Sequence, residues 1–144
     1  MAHAHVSGKS QSQPVAIVTG GSAGLGLVIA ESLLREGYCV ALLARDADRL
    51  SEAKCLLESA VPAAGERIMT VPADLSQKKE ASRAIDQVAA QWDRIDVLIN
   101  NVGQSDRGSM EQLSGERLLS VLSTNLLPTL YCSQHAYPYL VRTQ

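Results

Sequence analysis

The sequence predicts an α/β protein in which helices cover both faces of a parallel β-sheet, giving three layers. Two observations support this fold class. Apolar runs typical of strands alternate with helical patterns, which favours parallel strands joined by right-handed crossovers. The run at residues 38–44 is also apolar throughout, as expected for a strand that is buried on both faces. A chain of 144 residues provides enough material for one such domain.

The boundaries of the elements follow from periodicity and capping residues. Gly37 is expected to end the first helix, and Asp46 and Ser76 are candidate N-caps of the next two helices. Strands are predicted at residues 15–18, 38–44, 67–71 and 96–99, and helices at residues 25–37, 46–60 and 76–92. The helical side chains expected to face the core are Leu25, Val28, Ile29, Leu33 and Leu34, then Leu50, Leu56 and Leu57, then Ala81, Ala84, Ile85, Val88 and Trp92.

A last helix is predicted from about residue 116 to residue 142, with apolar side chains around much of its circumference. Such a helix must be covered on more than one side. Pro128 cannot donate to the carbonyl of Thr124, so a kink is expected around Asn125, and Pro138 should bend or end the helix. The leucines of this helix and the free edge of the fourth strand favour association, so a homo-oligomer is expected.

The composition, 46% hydrophobic and 19% charged, is typical of a soluble globular chain. The net charge of −2 argues against general binding to nucleic acid or anionic membranes, and no apolar run approaches the ~18 residues of a spanning helix. Residues 1–13 lack the apolar core of a signal peptide and are expected to form a disordered tail. No metal site is expected, because His3 and His5 of that tail supply only two ligands.

The three cysteines, Cys39, Cys55 and Cys132, are scattered and form no paired motif. They are expected to be small buried side chains rather than disulfide partners. Cysteines of this kind suit the reducing cytoplasm, which is the expected location.

The stretch from Thr19 to Gly26 reads Thr-Gly-Gly-Ser-Ala-Gly-Leu-Gly and lies where the first strand gives way to the first helix. Glycines allow positive φ and let a ligand approach the backbone closely. The free N–H groups and the dipole of a helix N-terminus favour an anion such as a pyrophosphate. A plain tight turn is the alternative, but the order strand, glycine turn, helix favours a phosphate cradle.

The spacing Thr-Gly-x-x-x-Gly-x-Gly, followed in order by Asp74-Leu75, by Asn100-Asn101-Val102-Gly103 and by Asn125, resembles the short-chain dehydrogenase/reductase family. The resemblance covers nearly everything after Pro14. It implies a Rossmann-like sheet with strand order 3-2-1-4, and a dinucleotide at the carboxyl ends of the strands, where the winding of the sheet reverses.

The resemblance also implies which residues hold the cofactor. The glycine turn would form a backbone cradle braced by the hydroxyl of Thr19, and Ser22 would reach the adenosine ribose unless it is a simple turn residue. Asp74 would contact the adenine, although an aspartate there could equally be a turn or cap residue. The full implied set is Thr19, Gly20, Ser22, Gly24, Leu25, Gly26, Asp74, Leu75, Asn101 and Gly103. Val102 departs from the family, whose members usually have alanine there.

The end of the second strand favours NADP(H) over NAD(H). NAD-specific proteins place a carboxylate there for the ribose 2′-hydroxyl, whereas an arginine accommodates a 2′-phosphate. This chain has Ala44-Arg45, and Asp46 comes one residue later, where it can cap the next helix. The guanidinium of Arg45 suits a phosphate dianion, although a solvated arginine after a strand is the simpler alternative.

Asn125 corresponds to the asparagine of the family's Asn-Ser-Tyr-Lys catalytic set; a plain kinked core helix is the alternative. The Tyr-x-x-x-Lys pair is absent from these 144 residues, because no lysine follows Lys79. Tyr131 and His135 share a helix face, but that face is expected to be structural. The chain is therefore expected to be the N-terminal part, residues 14–144, of a longer reductase, and to be inactive by itself.

Two functions are compatible with the sequence. The resemblance implies an NADP(H)-dependent oxidoreductase that moves hydride between the nicotinamide and a small-molecule carbonyl or secondary alcohol. The alternative is a non-catalytic nucleotide-binding or interaction module. Oxidation of NADPH with a panel of ketones distinguishes the two.

Overall fold

Strands and helices alternate along residues 13–105 and 108–144, which are the residues that the computed structural model of the protein describes. Residues 1–12, most of the tail expected from the sequence, lie outside this description. The elements are, in order, β1 (Val15–Thr19), α1 (Gly24–Arg35), β2 (Cys39–Ala44), α2 (Ala47–Ala60), β3 (Ile68–Pro72), α3 (Lys78–Trp92), β4 (Val97–Ile99), α4 (Gly115–Asn125) and α5 (Leu127–Arg142). Short 3₁₀ turns occupy Pro62–Arg67 and Met110–Gln112.

The four described strands form one parallel sheet in the order β3-β2-β1-β4, so the predicted fold class and strand order are confirmed. In its centre Ile17 is aligned with Ala41 of β2 and with Leu98 of β4. Among the described strands β4 lies at one edge of the sheet, as expected. Parallel register brings the carboxyl ends of all four strands to the same side of the molecule.

Two apolar cores flank the sheet and complete the three layers. One core lies between the sheet and helices α3 and α5, where Ile17 and Leu43 pack with Ile85 and Cys132. The other lies between the opposite face of the sheet and helices α1 and α2, where Leu42 packs with the helical side chains Ala30, Leu34, Leu50 and Leu57. The continuous apolar run of β2 is thus buried on both faces, as the sequence predicts.

The expected core faces of α1 and α2 need correction. Leu25, Val28 and Leu56 are 68%, 61% and 59% exposed. Helix α1 instead turns its small residues towards the sheet, burying Gly26 and Ala30 ahead of Leu34. Small side chains allow the helix axis to approach the strands closely, and this rotates the neighbouring large residues outwards.

The predicted helix caps and the predicted burial of the cysteines are confirmed only in part. Asp46 caps α2 as predicted, and Gly37 has φ +89° after the last turn of α1. Ser76 is not the N-cap of α3; that position belongs to Gln77, which makes no side-chain cap hydrogen bond. Cys55 is exposed rather than buried, unlike Cys39 and Cys132.

The predicted single last helix is divided in two at Leu126. Pro128 lies at the start of α5, where its missing N–H group leaves the Thr124 carbonyl without its usual helical donor. The amide of Asn125 meanwhile donates to the carbonyl of Val121, one turn earlier. Pro138 does not end the helix, because α5 continues to Arg142.

Asp96 joins the first strand to the last. Its carboxylate accepts hydrogen bonds from the backbone N–H of Val15, at 2.7 Å, and from Nε of Arg94, at 2.8 Å. Burial raises the pKa of the Asp96 carboxyl, but the hydrogen bonds from Arg94 and Val15, together with the charge of Arg94, bring the pKa below its ordinary value.

We expect Asp96 to make the fold sensitive to acid. Because its pKa is depressed in the folded state, its contribution is present above the ordinary aspartate pKa of about 3.9 and is lost as the pH falls further, through the folded pKa. Asp96→Asn should lower the free energy of unfolding by about 1–2 kcal/mol at pH 7. Urea unfolding of the wild type and the variant at pH 7 and pH 3 measures the difference in the free energy of unfolding. A difference of the same size at both pH values would contradict the predicted role of Asp96.

Candidate functional site

A cleft of about 450 Å³ opens at the carboxyl ends of the four described strands. Its volume lies within the range of small-molecule sites, roughly 300–1,000 Å³. The cleft is lined by Gly20, Ser22, Ala23, Ala44, Arg45, Asp46, Arg49, Ala73, Asp74, Leu75, Ser76, Asn101, Val102, Gly103, Gln104, Thr124 and Pro128. It is the place where the predicted strand-end motifs come together.

The turn between β1 and α1 forms one wall of the cleft. Gly20 has φ +65° and donates its N–H to the carbonyl of Leu43 at 2.7 Å, which fixes the turn to β2. Ala23, the N-cap residue of α1, makes no side-chain cap hydrogen bond. The first turn of α1 therefore keeps the donor groups and positive dipole end that suit an anion.

Gly26 lies behind this turn rather than in the cleft. A Cβ atom at Gly26 would lie 2.4 Å from the carbonyl oxygen of Gly20 and 2.6 Å from Nδ2 of Asn101. Only glycine allows α1 to pack this closely against the turn. Gly26 therefore fixes the position of α1 against the turn, whereas Gly24 and Leu25 begin the helix on its exposed side.

Thr19 and Asn101 connect the turn to β4. The buried hydroxyl of Thr19 accepts hydrogen bonds from the N–H groups of Asn101, at 2.9 Å, and Val102, at 3.2 Å, and donates to the carbonyl of Ile99. The amide of Asn101 donates to the carbonyls of Thr19 and Gly20, both at 3.2 Å. These bonds hold two strand ends in register where the cleft begins.

The end of β2 brings two arginines to the cleft. Arg45 is exposed and comes directly after the strand, while Arg49 projects from the first turn of α2. Between them, Oδ1 of Asp46 accepts from the N–H groups of Asp48 and Arg49, both at 3.0 Å. Sequence analysis missed Arg49; its place in the first turn of the helix that follows Arg45 was the signal available.

Asp74 organises the loop after β3 as a turn residue. Its Oδ1 accepts from the N–H and the hydroxyl of Ser76, at 3.1 and 2.7 Å, and its N–H donates to Oε2 of Glu80 at 2.7 Å. Leu75 is buried apart from the part of its surface that lines the cleft. The alternative of a turn aspartate is thus the role that the contacts support directly.

Asn125 lies beside the cleft, joined to it through Gln104. Its Oδ1 accepts from the N–H of Gln104 at 2.8 Å, and its Nδ2 donates to the carbonyls of Gln104 and Val121, at 2.9 and 2.8 Å. An ideal Cβ on Gly103 would lie 3.1 Å from the same Oδ1. The carboxamide of Asn125 is therefore committed to holding the loop after β4 against α4.

Most of the predicted residues either line the cleft or support it. The lining residues among them are Gly20, Ser22, Arg45, Asp74, Leu75, Asn101 and Gly103. Thr19 and Gly26 support the turn from behind, and Asn125 supports the loop after β4. Gly24 and Leu25 do neither, because both lie exposed at the start of α1, outside the lining of the cleft. Besides Arg49, the cleft residues that sequence analysis did not single out for binding include Ala23, Ala73 and Gln104.

Tyr131 and His135 do not contribute to this cleft. Nε2 of His135 lies 2.8 Å from Oδ1 of Asp86 on α3, and the hydroxyl of Tyr139 donates to the same oxygen at 3.1 Å. The hydrogen bond to Asp86 raises the pKa of Tyr139 above its ordinary value. These contacts join α3 to α5, in agreement with the structural role expected for that face.

Within residues 13–105 and 108–144, none of the helices combines the length and apolarity needed to cross a membrane. The same part of the chain brings no three His, Cys, Asp or Glu side chains together as metal ligands.

Residues 14–144 match the family model described as short chain dehydrogenase. Among curated relatives, farnesol dehydrogenase of Aedes aegypti is 36% identical over 127 residues, which cover 85% of this chain and 49% of the relative. The rhamnolipids biosynthesis 3-oxoacyl-[acyl-carrier-protein] reductase of Pseudomonas aeruginosa is 33% identical, over 90% of this chain and 48% of the relative. The chain thus spans about half the length of these relatives.

Solved structures show the same arrangement. The NADPH-bound short chain oxidoreductase of Pseudomonas aeruginosa PAO1 containing an atypical catalytic center superposes with a TM-score of 0.83 at 28% identity. That alignment covers 88% of this chain and 49% of the other.

Proposed function

Because the chain belongs to the short-chain dehydrogenase/reductase family, we propose that it holds a nicotinamide dinucleotide, NADP(H), in the cleft at the strand ends. One observation carries the proposal. The glycine turn, the start of α1 without a side-chain cap, and Arg45 after β2 all lie at the same cleft. These features together suit a phosphate-bearing ligand.

Different residues of the cleft would bind different parts of the dinucleotide. Backbone N–H groups from Gly20 to Leu25 would hold the pyrophosphate, and Ser22 and Arg45 would recognise the adenosine ribose. Asp74 and Leu75 would border the adenine. Asn101 and Gly103 would lie along the nicotinamide side, next to the loop that Asn125 holds. When bound, the cofactor supplies a hydride donor or acceptor.

The preference for NADP(H) depends on the residues at the end of β2. No carboxylate stands at the strand end itself, and that of Asp46 accepts two backbone N–H bonds of α2. Among the described residues no hydrogen bond or ion pair engages Arg45. Its guanidinium is therefore available to a 2′-phosphate, and a structural relative bound to NADPH supports the same choice.

Arg45→Ala should weaken NADPH binding by about tenfold, because a charge-assisted contact to the 2′-phosphate contributes on the order of 1.5 kcal/mol or more. NADH lacks that phosphate, so its dissociation constant should change by less than about twofold. Titration calorimetry of both cofactors against the wild type and the variant measures the difference. Equal weakening of both would remove the basis for NADP(H) selectivity.

The activity proposed for the whole protein is hydride transfer between the nicotinamide and a small-molecule carbonyl or secondary alcohol. Asn125 acts in it as a positioning residue, since its carboxamide is bonded to backbone groups of Gln104 and Val121. A non-catalytic nucleotide-binding or interaction module is the second candidate, and oxidation of NADPH with a panel of ketones distinguishes it from the first.

Association of copies of this chain is proposed from its exposed apolar side chains. Leu119, Leu122, Leu126 and Leu130 are between 48% and 66% exposed along α4 and the start of α5. A second copy would remove this apolar surface from water. A cytoplasmic location is proposed from the unpaired cysteines, which suit a reducing compartment.

A further inference from the structure

We infer that Arg49 is a second determinant of cofactor choice, acting both on the 2′-phosphate and on the carboxylate of Asp46. The inference rests on the proposed binding of a dinucleotide in the cleft and extends it to a residue outside the sequence motifs. Arg45 and Arg49 line the same cleft, Arg45 from the residue directly after β2 and Arg49 from the first turn of α2.

The contacts of Asp46 explain why an acid next to the strand end does not select NAD(H). Its Oδ1 is used by two backbone N–H groups of α2, and its Oδ2 faces Nε of Arg49 at 3.8 Å. A carboxylate held in this way is turned towards its own helix, and its charge is balanced by Arg49. The pairing leaves Arg45 as the group presented to the ribose.

Arg49 is held loosely enough to engage a ligand. Its side chain is 69% exposed, and the 3.8 Å separation from Asp46 is longer than a good charge-assisted hydrogen bond. Exposed pairs of this kind contribute little to stability. A phosphate dianion in the cleft, carrying more charge than one carboxylate, would therefore compete for the guanidinium of Arg49.

Two substitutions test the inference from opposite directions. Arg49→Gln should weaken the binding of NADPH and of 2′,5′-ADP by about fivefold to tenfold, while NADH and 5′-AMP change by less than about twofold. Asp46→Asn keeps a good N-cap residue but removes a negative charge, so NADPH should bind about two- to threefold more tightly, with NADH unchanged. Dissociation constants from titration calorimetry provide the comparison.

Lys54→Gln is the matched control, because it removes one positive charge from the same helix at a residue that does not line the cleft. It should leave the dissociation constants of all four ligands within about twofold, because the Lys54 ammonium lies outside the cleft lining and faces Glu58 of the same helix at 3.8 Å. Raising the salt concentration should weaken NADPH binding less in Arg49→Gln than in the wild type.

The outcomes separate this inference from the proposed function. Equal losses for NADPH and NADH in Arg49→Gln, or no loss for either, would overturn the role of Arg49 and leave dinucleotide binding intact. Weaker NADH binding in Asp46→Asn would show that Asp46 serves the ribose, which also overturns it. Failure of the folded wild type to bind any of the four ligands would refute the proposed function and the inference with it.

Discussion

Replacing Gly26 with alanine is expected to lower the free energy of unfolding by about 3 kcal/mol. It should also weaken dinucleotide binding by more than about tenfold. The added Cβ would lie 2.4 Å from the carbonyl oxygen of Gly20 and 2.6 Å from Nδ2 of Asn101. The first is backbone of the turn itself, so the helix and the turn must move apart. That movement would displace the donor groups that face the cleft.

Gly115→Ala is the control for this experiment. Gly115 begins α4, and a Cβ there would meet no atom within 4 Å. Alanine at a helical position should leave stability unchanged or raise it by up to about 1 kcal/mol. Urea unfolding and NADPH titration of both variants provide the measurements. A Gly26→Ala protein as stable as the wild type would mean that α1 does not pack against the turn as described.

Thr19→Val is the second large expected effect, a loss of about 2–4 kcal/mol, because it leaves buried backbone groups without their partner. The side chain keeps its shape but loses the hydroxyl that accepts from the N–H groups of Asn101 and Val102 and donates to the carbonyl of Ile99. Thr19 is only 1% exposed, so water cannot replace the lost bonds readily. Binding of NADPH should fall as well, since the turn and the end of β4 lose their common anchor.

Thr19→Ser separates the hydroxyl from the methyl group. The serine keeps the hydrogen bonds and loses one methyl group, which should reduce stability by only about 1 kcal/mol. Equilibrium unfolding of the three proteins decides the question. If serine and valine destabilise the protein equally, the hydroxyl network is not what holds the two strand ends together.

The arrangement of the sheet could be predicted from the sequence because its signals are local and mutually consistent. The apolar run of β2, the glycines after β1 and the polar residues after β3 and β4 each mark a strand end. Parallel pairing then brings those ends together, which is why Gly20, Arg45 and Asp74 line one cleft. Asp46 was predictable as a cap because a short acidic side chain just before a helical pattern has a direct backbone partner.

The rotation of the helices could not be predicted so well. Leu25, Val28 and Leu56 were expected to be buried because the helical pattern assigns large apolar side chains to the face that packs against the core. Which residues of α1 are buried depends instead on how closely the helix can approach the sheet. A close approach places the small residues Gly26 and Ala30 against the strands. Such close packing depends on the facing surface, and the helix's own sequence does not contain that information.

The supporting contacts of the site show the same limit. The hydrogen bonds between Asn125 and Gln104 join residues that are 21 positions apart in the sequence. The hydrogen bond between Thr19 and Asn101 joins residues that are 82 positions apart. Arg49 was missed because an arginine in the first turn of a helix is ordinary until the neighbouring strand ends are known. The family resemblance identified the motif residues, whereas the fold was needed to show that Gly26 and Thr19 act from behind the cleft.

The most direct test of the central claim is an amide chemical-shift titration of the isotopically labelled protein with NADPH. Binding in the cleft predicts that the largest shifts fall on Gly20 to Leu25, on Arg45 and on the loop after β4, with small shifts on the far side of α3. Saturating NADPH that leaves these amides unmoved, or that shifts mainly the surface formed by α3 and α5, would contradict the account.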